Sequence, residues 1–194
     1  MKTNNNFNDA QLVALLKETG VIMDGHFLLT SGRHSARFLQ CSQLLQYPEQ
    51  AEKVCRLAAA PFKDKQVQTV IGPAMGGVIM AYETARALGA RALFAERSEK
   101  DLMVLKRGFR VEVGERVLVV EDAVTTGGSV RKVFDLLEKS GVEIVGVSIL
   151  IDRTAGKLKF EVPVHSLVSM DIESYAPHEC PLCRDGIPLK QPKV

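Results

Sequence analysis

The sequence lacks long hydrophobic runs, a strong net charge and an abundance of cysteine. No apolar run approaches the ~20 residues that a membrane-spanning helix needs. The first residues, "MKTNNNFNDAQ", are polar and lack the apolar core of a signal peptide. The formal net charge is only +2, so the balance of charge does not require nucleic acid or an anionic membrane as partner. We therefore expect a soluble, cytoplasmic protein.

The four cysteines are too few for a disulfide scaffold in a cytoplasmic chain. Cys41 and Cys55 stand alone, whereas Cys180 and Cys183 form the spacing "CPLC". A structural zinc site usually needs four ligands, and His178 is the only candidate nearby in the sequence. The favoured interpretation is a Pro-containing turn with two reduced thiols and no metal, and the alternative is metal binding or redox chemistry.

The length of 194 residues suffices for one domain with a substantial core. Apolar residues make up 46% and charged residues 25%, as in an ordinary globular domain. We predict a single domain over residues 1–194, in which segments of about 1–45 and 171–194 flank the core.

The core region alternates short Val- and Ile-rich strands with helices. The predicted strands cover residues 67–73, 91–96, 116–122 and 142–152, and the predicted helices cover residues 76–89 and 129–141. This alternation indicates βαβ units around a mainly parallel sheet, hence an α/β fold.

The N-terminal segment combines helical and extended patterns. "NDAQLVALLKETG" predicts a helix that Gly20 ends. "VIMDGHFLLT" predicts a hairpin that turns at Asp24-Gly25, because this dipeptide lies between two apolar runs. A short strand is expected around Phe38, and Pro48 is expected to open a helix that extends to about Ala60.

Three predicted strands end in glycines or polar residues, within "IGPAMGG", "VVEDAVTTGGS" and "ILIDRTAG". Ligands bind at the carboxyl ends of the strands in an open parallel sheet. In the second segment, Thr125 to Ser129 lead into a helix, so that backbone N–H groups and the helix N-terminus converge and favour phosphate. The segment is neither a Walker loop nor a GxGxxG turn.

Two adjacent carboxylates, Glu121 and Asp122, end the most hydrophobic strand. Such a pair is costly unless a cation or hydroxyl groups compensate it. A ribose 2′,3′-diol whose phosphate lies on the glycines would do so. The alternative is an acidic pair balanced by a nearby Arg or Lys.

The order of chemistries in "VLVVEDAVTTGG" resembles the phosphoribosyl diphosphate signature of type I phosphoribosyltransferases. The chain also resembles the orotate phosphoribosyltransferase family along most of its length, in "LLTSGRHSARFL", "GPAMGG" and "DRTAG". The tail "ECPLCRDGIPL" resembles a subgroup of that family. The resemblance implies a type I phosphoribosyltransferase fold, in which helices flank a central, mainly parallel sheet beside a small N-terminal hood and a flexible loop.

The implied reaction joins orotate to 5-phospho-α-D-ribose 1-diphosphate (PRPP) and gives orotidine 5′-monophosphate and pyrophosphate, a step of pyrimidine biosynthesis. The resemblance also implies Mg²⁺ as cofactor and a homodimer. Two alternatives are a phosphoribosyltransferase that acts on a purine base and a regulator that binds PRPP without catalysis.

The resemblance assigns roles to individual residues. Glu121 and Asp122 would hold the ribose hydroxyls, and Arg153 would pair with the orotate carboxylate. Thr125 would also contact orotate, and Phe38 would contact the base. The 5′-phosphate would lie among Ala123, Val124, Thr125, Thr126, Gly127, Gly128 and Ser129. Alternatively, Arg153 is a surface residue paired with Asp152, and Phe38 belongs to the core. Ser31, Gly32 and Arg33 would line the base side of the site.

Candidate catalytic residues are Arg97, Lys100 and Asp122. The first two belong to a charged segment, residues 97–115, which is interpreted as a lid or a two-stranded flap, or otherwise as a solvated loop. In the family this loop acts across the dimer and carries a histidine, where this chain has Leu102 or Met103. Three further departures are Thr30, Met75 and Gly76. Lys106 and Arg107 are candidates for the missing charge.

Overall fold

The computed structural model describes residues 9–29 and 31–192. In chain order, the helices and strands are α1 (Asp9–Glu18), β1 (Ile22–Leu28), β2 (His34–Leu39), α2 (Ser42–Leu45), α3 (Pro48–Ala59), β3 (Thr69–Pro73), α4 (Gly76–Leu88), β4 (Arg91–Arg97), β5 (Met103–Val104), β6 (Arg116–Val124), α5 (Gly128–Glu138), β7 (Glu143–Asp152), β8 (Val164–Ser169) and α6 (Pro181–Arg184). Two 3₁₀ helices cover Ala60–Lys65 and Pro177–Glu179. No helix among the described residues is long and apolar enough to span a membrane.

The described residues form two compact units. The first unit is Leu45–Met170, and the second unit combines residues up to Leu44 with those from Asp171 onward. The assignment of the whole chain to a single domain stays a prediction.

A six-stranded sheet forms the centre of the first unit, in the order β5-β4-β3-β6-β7-β8. All neighbouring strands are parallel except β5, which pairs antiparallel with β4. The predicted α/β fold around a mainly parallel sheet is therefore confirmed. Strand β8 was not predicted, because it lies at the edge of the sheet, is half-buried and carries His165 and Ser166 among its apolar residues.

Helices cover both faces of this sheet, which is why Val117 to Val120 in β6 are all fully buried. Val147 and Ile149 of β7 belong to the core cluster on the α5 side. Ser148 lies between them and points the opposite way, where its hydroxyl donates to the backbone oxygen of Ala58 in α3 at 3.0 Å. Residues 147–149 thus show the alternation expected of a strand buried on both faces.

Helix α5 follows β6 after a short turn and presents one apolar side to the sheet. Val130, Val133 and Leu137 are fully buried, with the three- and four-residue spacing of a helix face. Gly127 precedes the helix with a φ of 77°. Helix α3 begins at Pro48, as predicted from the preference of proline for the first helical turn.

The second unit contains α1 and the antiparallel pair of β1 and β2. The predicted hairpin turn at Asp24-Gly25 is wrong: β1 runs through these residues, with an irregularity in pairing between Asp24 and Phe27. The turn lies further along, where the Leu29 N–H donates to the Arg33 oxygen at 2.8 Å. Gly32, with a φ of 76°, supplies the left-handed conformation that this turn needs. The predicted strand around Phe38 is confirmed as β2.

The charged loop, residues 97–115, contributes a short strand to the sheet, because β5 pairs antiparallel with the end of β4. Its interpretation as a lid or a two-stranded flap stays a prediction. Arg97 and Met103 face each other in the β4–β5 pair. Further along, the ring of Phe109 packs edge-on against Phe94, with 5.1 Å between the ring centroids. Arg107 lies over the same Phe94 ring at 5.8 Å. The loop is therefore anchored to the sheet by apolar contacts as well as by strand pairing.

Candidate functional site

A pocket of about 280 Å³ opens at the carboxyl end of β6, beside the first turn of α5. Its lining consists of Arg97, Glu121, Ala123, Val124, Thr125, Thr126, Gly127, Gly128, Ser129, Val130 and Lys132. Nine of these residues were singled out from the sequence: Arg97, Glu121 and the continuous segment Ala123–Ser129, here called the glycine loop. The strand end and the helix start thus meet where the sequence predicted a ligand.

The glycine loop is shaped to bind an anion. Gly127 adopts the left-handed conformation, and a side chain there would also lie 3.0 Å from Leu158 and Phe160, so the position requires glycine. Its conformation starts α5 so that the first N–H groups, which have no partner within a helix, lie beside the pocket. The positive end of the helix dipole adds to their attraction for a phosphate.

Of the acidic pair, Glu121 lines this pocket, whereas Asp122, the next residue of β6, is not part of its lining. Glu121 is buried, with 7% of its surface exposed. Its carboxylate accepts a hydrogen bond from the backbone N–H of Asp122 at 3.3 Å. Burial, and then the charge of Asp122, raise the pKa of Glu121 to about 9. Burial also raises the pKa of Asp122. A ligand that offers hydroxyl donors or positive charge here would favour the ionised form of the pair.

Asp122 packs against the start of α4. A Cβ atom built on Gly76 would overlap the Asp122 carboxylate, so Gly76 is the residue that makes room for it. A side chain at position 76 would have no space unless Asp122 moved. Met75, next to it, is 83% exposed.

Two cations that line the pocket, Arg97 and Lys132, share one carboxylate. Arg97 donates to Asp101 at 2.7 Å, and Lys132 forms an ion pair with the other oxygen of the same carboxylate. The hydrogen bond from Lys132 is the main reason that the pKa of Asp101 lies below its ordinary range. Lys132 was missed in the sequence analysis. Its position four residues after Gly128, one turn into the helix, was the available signal.

The remaining cations of the charged loop do not line the pocket. Lys100 is exposed and lies in the turn between β4 and β5. Lys106 is also exposed, and Arg107 pairs with Glu96 at 2.9 Å. Of the residues that replace the histidine of the family, Leu102 is exposed whereas Met103 is buried in the core.

Arg153 follows β7 and is tied to the glycine loop through its backbone. Its N–H donates to the Val124 oxygen at 2.9 Å, and the residue is partly buried. The preceding Asp152 is 2% exposed and accepts hydrogen bonds from Thr154 at 2.7 Å and from the Gly156 N–H at 3.0 Å. Asp152 thus shapes the turn that presents Arg153.

Phe38 and the segment 31–33 belong to the second unit. The Phe38 ring lies 5.8 Å from that of Phe27, tilted by 40°, and is partly exposed. Arg33 donates to the hydroxyl of Ser174 at 2.9 Å. The roles of these residues at the base side stay predictions, and Thr30 lies outside the described residues.

The raised pKa of Glu121 predicts a stability that depends on pH. The folded chain keeps a proton that the unfolded chain releases above the ordinary pKa of 4.5, so the free energy of unfolding falls as the pH rises through that value toward about 9. Glu121→Gln removes the ionisable group and therefore this fall in the free energy of unfolding. From pH ~5 to ~9 we expect the variant to gain on the order of a few kcal/mol over the parent chain.

Urea denaturation at a series of pH values, without ligands, measures this difference. Glu99→Gln, at an exposed position, is the matched control and should follow the parent chain. Parallel pH profiles of the parent and Glu121→Gln would show that Glu121 ionises normally in the folded protein.

Comparison with known families identifies the class of protein that this fold and pocket define. The sequence profile described as "Phosphoribosyl transferase domain" matches residues 40–178. This range includes the whole sheet, the glycine loop and the acidic pair. The chain therefore belongs to the phosphoribosyltransferase family.

Its curated relatives narrow the class further. Orotate phosphoribosyltransferase from Pelotomaculum thermopropionicum is 51% identical over 182 residues, which cover 94% of this chain and 95% of the relative. The enzyme of that name from Thermotoga maritima is 51% identical over 178 residues, or 92% and 95% of the two chains. Within the phosphoribosyltransferases, the chain is thus a member of the orotate phosphoribosyltransferase family.

Solved structures agree with this placement. The crystal structure of orotate phosphoribosyltransferase from Aeropyrum pernix matches with a TM-score of 0.70 and 27% identity, over 81% of this chain and 93% of that one. Adenine phosphoribosyltransferase from Rhodothermus marinus matches with a TM-score of 0.62 and 23% identity, over 81% and 99% of the chains. The second likeness concerns the fold alone.

Proposed function

We propose that this chain transfers the phosphoribosyl group of PRPP to orotate, giving orotidine 5′-monophosphate and pyrophosphate. The observation that carries the proposal is that one pocket joins Glu121 to the glycine loop. A carboxylate acceptor for ribose hydroxyls and a set of N–H donors for phosphate therefore lie side by side. The two curated relatives described above, both named for orotate, favour this acceptor among the bases.

Glu121 and Asp122 would accept hydrogen bonds from the ribose hydroxyls, while Ala123–Ser129 would hold the 5′-phosphate. Both groups belong to one continuous segment that runs from β6 into α5, so the distance between them is fixed by the backbone. Such positioning is the main contribution that an enzyme can make when the substrates already contain the reactive groups.

The proposed reaction breaks the bond between C1 of the ribose and the pyrophosphate oxygen and forms a bond from C1 to N1 of orotate. The proton that N1 gives up is taken up by pyrophosphate or water. Positive charge develops on the ribose ring, as in other sugar transfers, and negative charge on the departing pyrophosphate. Orotate is the nucleophile, so the protein needs none. Arg97 and Lys132 line the pocket and would stabilise the leaving group, and we propose Lys100 as a third cation.

Mg²⁺ is the cofactor that we propose, and the donors of the pocket fit it. Glu121 and Asp122 offer hard carboxylate oxygens. No group of three or more metal-ligating side chains gathers at this pocket in the described part of the chain, which favours an ion bound mainly through PRPP oxygens and water. When bound, the ion would supply positive charge to the pyrophosphate.

The test is an assay of the purified chain with PRPP and Mg²⁺, in which the loss of orotate absorbance is followed. Release of pyrophosphate with uracil, adenine and hypoxanthine is measured in parallel. Turnover with orotate alone is the expected result. Turnover with a purine base instead would overturn the choice of acceptor, and PRPP binding without turnover would point to a regulator.

Arg153→Ala tests recognition of the orotate carboxylate. A guanidinium binds a planar carboxylate through two parallel hydrogen bonds, so we expect the KM for orotate to rise roughly 30-fold, for a loss of about 2 kcal/mol. The KM for PRPP should change little. Steady-state kinetics with each substrate varied in turn provide the measurement.

Two variants sharpen this test. Arg153→Lys keeps the charge but loses the planar fork, and should recover only part of the affinity for orotate. Arg56→Ala removes an exposed arginine that pairs with Glu52 at 2.7 Å on α3, and should behave like the parent chain. An unchanged KM for orotate in Arg153→Ala would rule out this role.

A homodimer, in which the charged loop of one protomer covers the pocket of the other, is part of the proposal by resemblance to the family. Sedimentation of the purified chain, with and without PRPP, measures the assembly. The cytoplasmic location stays a prediction from the sequence.

A further inference from the structure

Four side chains that can ligate a metal meet in the second unit. They are His26 in β1, His34 in β2, and Cys180 and Cys183 at the start of α6 and within it. One ligand atom from each lies within 4.8 Å of all the others. His26, His34 and Cys180 are buried, and Cys183 is exposed.

Four of the distances within this cluster lie within about 0.3 Å of those expected around a tetrahedral ion. Zinc bonds of about 2.3 Å to sulfur and about 2.1 Å to nitrogen place the ligand atoms of a tetrahedron about 3.4–3.8 Å apart. His26 Nε2 lies 3.1 Å from His34 Nδ1 and 3.5 Å from Cys180 Sγ. Cys183 Sγ lies 3.7 Å from His26 Nε2 and 3.3 Å from His34 Nδ1.

Hydrogen bonding alone does not explain this convergence. His26 Nδ1 lies 2.7 Å from the backbone oxygen of Ile187, and because a carbonyl can only accept, Nδ1 carries the proton. In the neutral ring, Nε2 then has a single lone pair, yet it faces His34 and both cysteines. A lone pair held toward three other ligands, with the second nitrogen bound to a carbonyl, is the usual arrangement of a metal-binding histidine.

We propose that His26, His34, Cys180 and Cys183 bind a structural zinc ion. Two thiolates and two imidazoles are a ligand set that favours zinc. Four protein ligands complete its tetrahedral shell, which indicates a structural rather than a catalytic role. The spacing C-x-x-C is that of one half of many zinc sites, and the second half comes from the β1–β2 pair. His178, the candidate nearest in sequence, is exposed and pairs with Glu179 at 3.6 Å instead.

The ion would join the two stretches of chain that make up the second unit. Backbone hydrogen bonds already connect them: Tyr175 and His34 exchange two, at 2.8 and 2.9 Å, and the Lys190 N–H donates to the His26 oxygen at 2.8 Å. Those bonds involve the backbones of the same two histidines. Zinc would therefore reinforce a connection that the backbone already makes.

The experiment uses the full chain, which is expressed with added zinc and separated from weakly bound metal by gel filtration. Elemental analysis should find about one zinc per chain. Substitution with Co²⁺ should give the visible absorption of a tetrahedral cobalt–thiolate centre. Cys183→Ser, at the exposed ligand, should retain much less zinc, whereas His178→Gln should retain as much as the parent chain.

Thermal unfolding of the parent chain is measured with and without a strong chelator. This measurement remains informative even if a variant fails to fold. Zinc release on chelation should lower the melting temperature of the parent chain and leave that of Cys183→Ser nearly unchanged. Absence of bound zinc, or a Cys180–Cys183 disulfide found by mass spectrometry in freshly purified protein, would overturn the proposal. Zinc retained equally by Cys183→Ser and the parent chain would also overturn the assigned ligand set.

Discussion

The double variant Glu121→Gln/Asp122→Asn is expected to lower kcat/KM for PRPP roughly 1000-fold, since each hydrogen bond to a charged group contributes about 1.5–3 kcal/mol. The amides are similar in size to the carboxylates, so the shape of the pocket should persist. However, each amide would present an NH₂ group where the ribose hydroxyls need acceptors. Steady-state kinetics with PRPP varied at saturating orotate measure the loss.

A matched control for this double variant is Asp135→Asn, in which an exposed carboxylate of α5 is neutralised. It should retain the kinetics of the parent chain. A loss of kcat/KM by less than a factor of about ten in the double variant would be smaller than the loss of one such hydrogen bond predicts. The acidic pair would then not hold the substrate. The two single variants then distinguish buried Glu121 from the more accessible Asp122.

The second large loss of kcat/KM is expected when a single methyl group is added at position 76. Gly76→Ala places a Cβ atom where the Asp122 carboxylate lies. Because the backbone at the start of α4 is rigid, the carboxylate must move. Alanine is otherwise favoured in a helix, so α4 should remain intact. We expect kcat/KM for PRPP to fall roughly 100-fold, because the displaced Asp122 loses its proposed hydrogen bond to a ribose hydroxyl and its position beside Glu121.

Met75→Ala is the control for Gly76→Ala, because Met75 is the neighbouring residue and is 83% exposed. Its kinetics should match those of the parent chain, and both variants should unfold at similar urea concentrations. Parent-like kinetics in Gly76→Ala would show that Asp122 can move without cost, which would argue against a fixed role for it.

Local sequence patterns were sufficient where the physical cause is local. The apolar run Val117–Val120 predicts a doubly covered strand, and the two carboxylates and glycines that follow it predict a ligand at its end. Burial of β6 and the pocket at the glycine loop agree with both. Pro48 likewise marks the start of α3, because the preference of proline for a first turn depends on little else.

Patterns were insufficient where distant residues decide the structure. Asp24-Gly25 has the composition of a tight turn, yet pairing with β2 keeps it within a strand, and Gly32 makes the turn instead. The same limit explains the sequence interpretation of "CPLC". His26 and Cys180 are 154 residues apart in the chain, so no local spacing could bring the histidines to the cysteines.

The composition of the second unit has a consequence for the order in which the chain can fold. This unit needs both the residues up to Leu44 and those from Asp171 onward, whereas the first unit is continuous from Leu45 to Met170. During synthesis, the residues up to Leu44 must therefore wait for those from Asp171 onward. The sheet of the first unit, by contrast, has all of its strands available before the tail has been translated.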